Sequence, residues 1–279
     1  MMHLLRRRRA HSTRAIRLPT HAGGFTLVEL IITIGVLTLL VSILLPSLSA
    51  ARESARQTVC RSNLRQIAVT NTFYADDHDG VLVPGAANFR ANLDRWHGRR
   101  DRINQPFDAS KGPLRLYFDG ERGIRDCPSF DAREIAAESG GFEQGNGGYG
   151  YNNAYLGVQL VMMGAGEYVV ADDRGGARMH RIRRPSETVM FADTAFARDR
   201  LIEYSFAEPR FHPQYPGTRM DPSVHFRHGD QANVAGADGH VEGRRRTFTW
   251  TSGYYEGDPD RLKLGWFGSA DDNSAFDLD

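Results

Sequence analysis

Residues 25–45 read FTLVELIITIGVLTLLVSILL, a 21-residue apolar run broken by a single charged side chain, Glu29. As a helix rising about 1.5 Å per residue it spans roughly 31 Å, the thickness of a bilayer core. The flank before it, residues 1–24, carries six arginines (Arg6, Arg7, Arg8, Arg9, Arg14, Arg17) and no acid. Positive charge stays on the cytoplasmic side, so the chain from Pro46 onward is expected outside the membrane. A buried helix of a soluble protein does not fit beside four consecutive arginines.

A cleaved secretory signal and a plain signal anchor remain in competition. A secretory signal has an apolar stretch of roughly 7–15 residues before a small-residue site. The run here is longer, although Ser47, Ser49 and Ala51 supply a passable site. Glu29 separates the readings. A carboxylate within such a run costs about 2.5–3.5 kcal/mol at a helix centre and somewhat less near its end. A signal peptide or anchor has no use for this acid. Its natural partner is a positive charge at similar depth. Cleavage between Gly24 and Phe25 creates one, the α-amine of Phe25, and in a helical stack Glu29 of one subunit then neutralises Phe25 of its neighbour.

Gly23-Gly24-Phe25-Thr26-Leu27-Val28-Glu29-Leu30-Ile31 resembles the cleavage and methylation motif of type IV prepilins and type II secretion pseudopilins. Glycine, aromatic start, acid at the fifth mature place and Pro46 at the twenty-second agree in spacing. The resemblance implies that a membrane prepilin peptidase cuts after Gly24 and N-methylates Phe25. It further implies that an inner-membrane assembly platform adds the mature subunit to a filament of like subunits, with Glu29 and Pro46 serving assembly. One departure is the leader, at 24 residues longer than many.

Pro46 removes a backbone donor and is expected to kink or locally melt the helix. Beyond it, Leu48, Ala51, Ala55, Val59, Cys60, Leu64, Ile67 and Tyr74 recur at helical spacings as one apolar stripe. The sequence therefore predicts a helix over residues 25–75, with residues 25–45 transmembrane. Asp76-Asp77-His78-Asp79-Gly80 ends it, Gly80 suiting a left-handed turn. Two cysteines fit one disulfide or two free buried thiols. A Cys60–Cys127 bond is expected, because the chain beyond the membrane lies in an oxidising compartment.

The chain has 279 residues, 41% hydrophobic and 25% charged, which suits an ordinary folded domain. Setting the six leader arginines aside leaves 29 basic residues against 34 acidic ones. A body of that sign gives no electrostatic reason to bind nucleic acid. Residues 76–279 alternate glycine- and aspartate-rich loops with short apolar runs. Strands are expected at residues 81–83, 148–155, 168–170, 188–192, 224–227, 233–237 and 240–242, and a short helix at 133–139. The fold class is α+β, a long helix against an antiparallel sheet.

Several segments resemble a sub-group, the large pseudopilin-like proteins abundant in planctomycete-type bacteria. They include residues 60–67, Cys127-Pro128-Ser129, Tyr149-Gly150-Tyr151-Asn152 and residues 189–194. His228, nine residues and then Asp238-Gly239 match that group's C-terminal H-X9-DG motif. Residues 224–242 read as a hairpin, with Asp238-Gly239 in a tight turn. His228, Asp238, His240 and Asp193 are candidate N/O metal ligands; the competing reading is that they hydrogen-bond loop backbone. Calcium at Asp76, Asp77, Asp79 and Gly80 lacks the full spaced-ligand pattern. Trp250, Tyr254, Tyr255, Trp266 and Phe267 are candidates for an exposed aromatic surface, or for core.

No G-x-S-x-G, phosphate-binding loop or H-E-x-x-H occurs. The resemblance points to a non-enzymatic, single-pass inner-membrane subunit of a secretion or pilus-like filament. The alternative is a membrane-anchored extracytoplasmic enzyme or binding protein with a His/Asp metal site.

Overall fold

The computed structural model describes residues 24–118, 123–130, 143–164, 167–198, 200–215, 217–255 and 257–279. The basic leader up to residue 23 and the helix expected at residues 133–139 lie outside the described residues. The chain divides into two compact units, Met1–Leu48 and Ser49–Asp279.

Helix α1 covers Leu27–Asp77 and takes Pro46 in its interior. Helical structure continues through Pro46, so the expected local melting is absent; one missing donor among some fifty helical residues leaves the flanking turns intact. The apolar run is exposed along its whole length, from Phe25 at 70% to Leu45 at 60%. Among the described residues α1 is the one helix long and apolar enough to cross a membrane. It ends where Gly80 N–H reaches Ala75 O at 2.9 Å, with Asp79 and Gly80 both at positive φ.

The apolar stripe is buried only from Cys60 onward. Leu48, Ala51, Ala55 and Val59 are exposed, whereas Cys60, Leu64, Ile67 and Ala68 are sealed in the core. The second unit therefore starts inside the helix and not at residue 76. Its helical face also buries three polar residues, Asn63, Thr70 and Asn71. Asn71 Oδ1 accepts Val83 N–H at 2.9 Å, which takes the 81–83 segment out of any ladder. That segment keeps one bridge, Val81 to Arg178, and is no strand.

Twelve short strands follow among the described residues. They are β1 Asp94–Arg95, β2 Gly98–Arg99, β3 Tyr149–Tyr151, β4 Gln159–Gly164, β5 Glu167–Asp172 and β6 Val189–Asp193. Then come β7 Phe196–Ala197, β8 Leu201–Ile202, β9 Val224–His225, β10 Gln231–Gly236, β11 Val241–Arg245 and β12 Leu264–Gly265. The main sheet has the order β11-β10-β6-β3, antiparallel throughout. Its inner strand β6, VMFAD, is buried at every position, as a strand covered on both faces must be. Residues 224–242 do not form the expected single hairpin: β9 pairs with β12, and the true hairpin is β10–β11. Gly239, at φ +84°, makes its turn.

Two apolar clusters flank this sheet. One joins Cys60, Leu64 and Ile67 of α1 to Trp96, Tyr151 and Phe191. The other holds Trp266, Phe226, Val189 and Val234. Both indoles satisfy their N–H, Trp96 on Ser205 O at 2.7 Å and Trp266 on Glu208 O at 2.9 Å. Trp266 and Phe267 are thus core, while Tyr254 is 82% exposed.

Glu203 is a buried carboxyl that burial pushes up to about 7, with Gly145 N–H donating to its Oε2 at 2.7 Å. Between pH 4.5 and 7 the unfolded chain loses this proton before the folded one, so stability falls as pH rises. Glu203→Gln removes that dependence. Relative to the parent, its unfolding free energy is expected to gain about 3 kcal/mol between pH 4.5 and 8, measured by urea denaturation at both pH values. An unchanged difference would place this carboxyl's proton elsewhere.

Candidate assembly site and the cluster around His228

Gly24, Phe25 and Thr26 are non-helical, and α1 begins at Leu27. Thr26 is the N-cap. Its Oγ1 accepts Glu29 N–H at 3.2 Å, and Glu29 Oε2 accepts Thr26 N–H at 2.9 Å and Thr26 Oγ1–H at 2.7 Å. This is a reciprocal capping box, Thr-x-x-Glu, which satisfies donors a helix start leaves open. Glu29 therefore has a local use within its own helix. An anchor helix thus does have a use for this acid, contrary to the expectation from sequence. Thr26 is the residue that sequence spacing did not nominate, although Thr26-Leu27-Val28-Glu29 before an apolar run is the signal for it.

The second constellation lies where α1, β6 and the β9–β10 connection meet. Cys60 and Cys127 are joined as a disulfide, Cα–Cα 5.2 Å. His228, whose side chain is fully buried, lies against it, with Nε2 3.6 Å from Cys127 Sγ. Its Nδ1 is 2.9 Å from Glu53 Oε1 of α1, the same oxygen that accepts Ser129 Oγ–H at 2.9 Å. Asp193, at the end of β6, is also fully buried. It pairs with Arg227 at 3.1 Å, lies 3.5 Å from His228 Nε2 and accepts Asn233 N–H at 2.7 Å. Arg227 further covers the Phe130 ring at 4.7 Å from its centroid. Arg61 of α1 donates to Asn233 Oδ1 at 3.0 Å.

Asp238 and His240 are elsewhere. They pair with each other at 2.5 Å in the exposed β10–β11 turn, and that bond holds the His240 imidazole above its ordinary value. His228 and Asp238 bracket the six residues of β10. A strand of that length separates its ends by about 20 Å, so the spacing that suggested a ligand set keeps the set apart. Among the described residues, the group of three metal-capable side chains that does converge is Cys60, Cys127 and His228, and its two sulfurs are bonded to each other. The candidate ligands thus fall into a buried pair, Asp193 with His228, and an exposed pair, Asp238 with His240. The former welds the sheet end to α1, and the latter shapes a turn. Glu53 and Arg227 complete the buried group; neither stood out in the sequence, since lone charges on a helix face and a loop are ordinary.

The chain is 37% identical over 67 residues to the type IV wide pilus major component PilA4 of Thermus thermophilus. It is a partial homologue of a type IV pilin. The matched stretch is 24% of this chain and 51% of the pilin, so the chain spans about half the length of the curated relative it matches. No family model matches the chain, and no solved structure matches it. One long N-terminal apolar helix and an antiparallel-sheet domain give it a pilin-like α+β fold.

Proposed function

We propose that the chain is a structural, non-enzymatic subunit of a pilus-like or type II secretion pseudopilus-like filament. In this reading prepilin peptidase cuts after Gly24 and methylates Phe25, and the apolar helix waits in the inner membrane with the domain outside. The observation that carries it is the helix start: a 21-residue apolar run, exposed along its length, with one carboxylate at the fifth place after Gly24. Partial similarity to a pilin supports the same reading. Exposed Leu48, Ala51, Ala55 and Val59 extend the uncovered apolar surface beyond the membrane span, where neighbouring subunits would cover it.

The capping box sharpens the test of Glu29. Glutamine at this place keeps the box, since its amide oxygen accepts the Thr26 N–H, but it carries no charge for a neighbour's Phe25 amine. Glu29→Gln is therefore expected to insert and fold as the parent does and to lose filament assembly at least about tenfold. Filament yield and membrane fractionation read the two properties separately. Assembly at parental level would remove the charge pairing from the account. Mass spectrometry of the mature N-terminus is expected to find N-methylated Phe25, and an uncut Gly24–Phe25 bond overturns the reading.

A further inference from the structure

The second unit contains a cleft of about 590 Å³ with Glu208 among the residues that line it. That volume falls within the range of small-molecule sites. Glu208 is held firmly: its N–H donates to Ser223 Oγ at 2.9 Å, and its carbonyl accepts Trp266 Nε1–H at 2.9 Å. Oε1 accepts the hydroxyl of Tyr204 at 2.7 Å. Among the described residues no guanidinium, ammonium or imidazolium is paired with this carboxylate. Burial accordingly pushes Glu208 up to about 7, with the Tyr204 hydrogen bond acting against it and nearby Glu143 adding to it. A buried, uncompensated carboxylate is costly, and a cation entering the cleft would remove that cost.

The walls suit an organic cation better than a bare metal ion. Phe89, Tyr204 and Phe206 line the cleft, and Val158, Val170 and Met220 provide apolar surface. Phe89 and Phe206 already attract one cation, for the Arg95 guanidinium lies 5.8 Å and 5.3 Å from their centroids; ring faces of this kind favour positive charge. Burial lowers the His212 imidazole, also in the lining, below its ordinary value, and its Nδ1 accepts Gln214 N–H at 3.1 Å. The other charged lining residues are Asp173, which accepts Phe89 N–H at 3.1 Å, and the exposed Arg90.

We propose that this cleft binds a small organic amine in its ammonium form, with Glu208 as counter-ion and Phe89, Tyr204 and Phe206 around its apolar body. The site is independent of filament assembly and can fail without it. The test is isothermal titration of the full-length chain in a polyoxyethylene detergent with 2-phenylethylamine, and with the isosteric alcohol 2-phenylethanol. The amine is expected to bind at least about tenfold more tightly than the alcohol. Glu208→Gln should abolish that preference, and Phe89→Ala, at an exposed wall position, should weaken both probes without unfolding. Equal binding of amine and alcohol to the parent overturns the proposal, as does a preference retained in a folded Glu208→Gln, or no heat from either probe at millimolar concentration.

Discussion

Removing the Cys60–Cys127 disulfide, as Cys60→Ala with Cys127→Ala, is expected to destabilise the unit Ser49–Asp279 by about 4 kcal/mol. The bond closes a separation of 67 residues, and chain-entropy reasoning assigns a loop of that size a loss of this order. A second loss acts in the same direction. Both cysteines are buried, Cys60 at 0% and Cys127 at 1% exposure, so deleting their sulfurs leaves a small cavity. Equilibrium denaturation of the double variant against the parent, without reductant, measures the effect. A difference under about 1 kcal/mol would mean that packing around His228 holds the Cys127 loop on α1 unaided.

A comparable loss is expected at Asp193. Asp193→Ala leaves the Arg227 guanidinium buried without its carboxylate and the Asn233 amide without its acceptor. Breaking one side of a buried pair costs about 3–5 kcal/mol, because the remaining charge stays desolvated. Asp238→Ala breaks a pair that is about two-fifths exposed, and less than about 1 kcal/mol is expected there. Chemical denaturation of the two variants side by side tests the division of the four candidate ligands into a structural core and a surface turn. A smaller effect at Asp193 than at Asp238 would reverse that division.

Much of the architecture was legible because periodicity and turn chemistry acted locally. The 21-residue apolar run, the stop at Asp79-Gly80 and strands β3, β5, β6, β10 and β11 were all anticipated within a few residues. Besides the six-residue strand β4, what escaped was non-local. Strands β1, β2, β7, β8 and β12 are two residues each, too short to carry any alternation. Asn63, Thr70 and Asn71 sit on the buried face of α1 because loop groups such as Val83 N–H meet them there, and polarity alone predicts the opposite face. The stripe before Cys60 reads as core yet is uncovered within one chain. A hydrophobic pattern reports that a face will be covered without naming what covers it. The candidate ligands fall into two pairs for a geometric reason: sequence spacing across a strand measures distance, and the nine residues through β10 set Asp238 and His240 apart from His228.

The capping box closes entirely downstream of the Gly24–Phe25 bond. Its participants, Thr26 and Glu29, are the same atoms whether or not the leader is attached. Gly24 and Phe25 on either side of that bond are non-helical, so a protease working there need not unwind α1. On the proposed reading, proteolysis there exposes a fresh ammonium two peptide units from a helix that is already capped. In that reading, maturation changes the charge beside a helix start that Thr26 and Glu29 have already shaped.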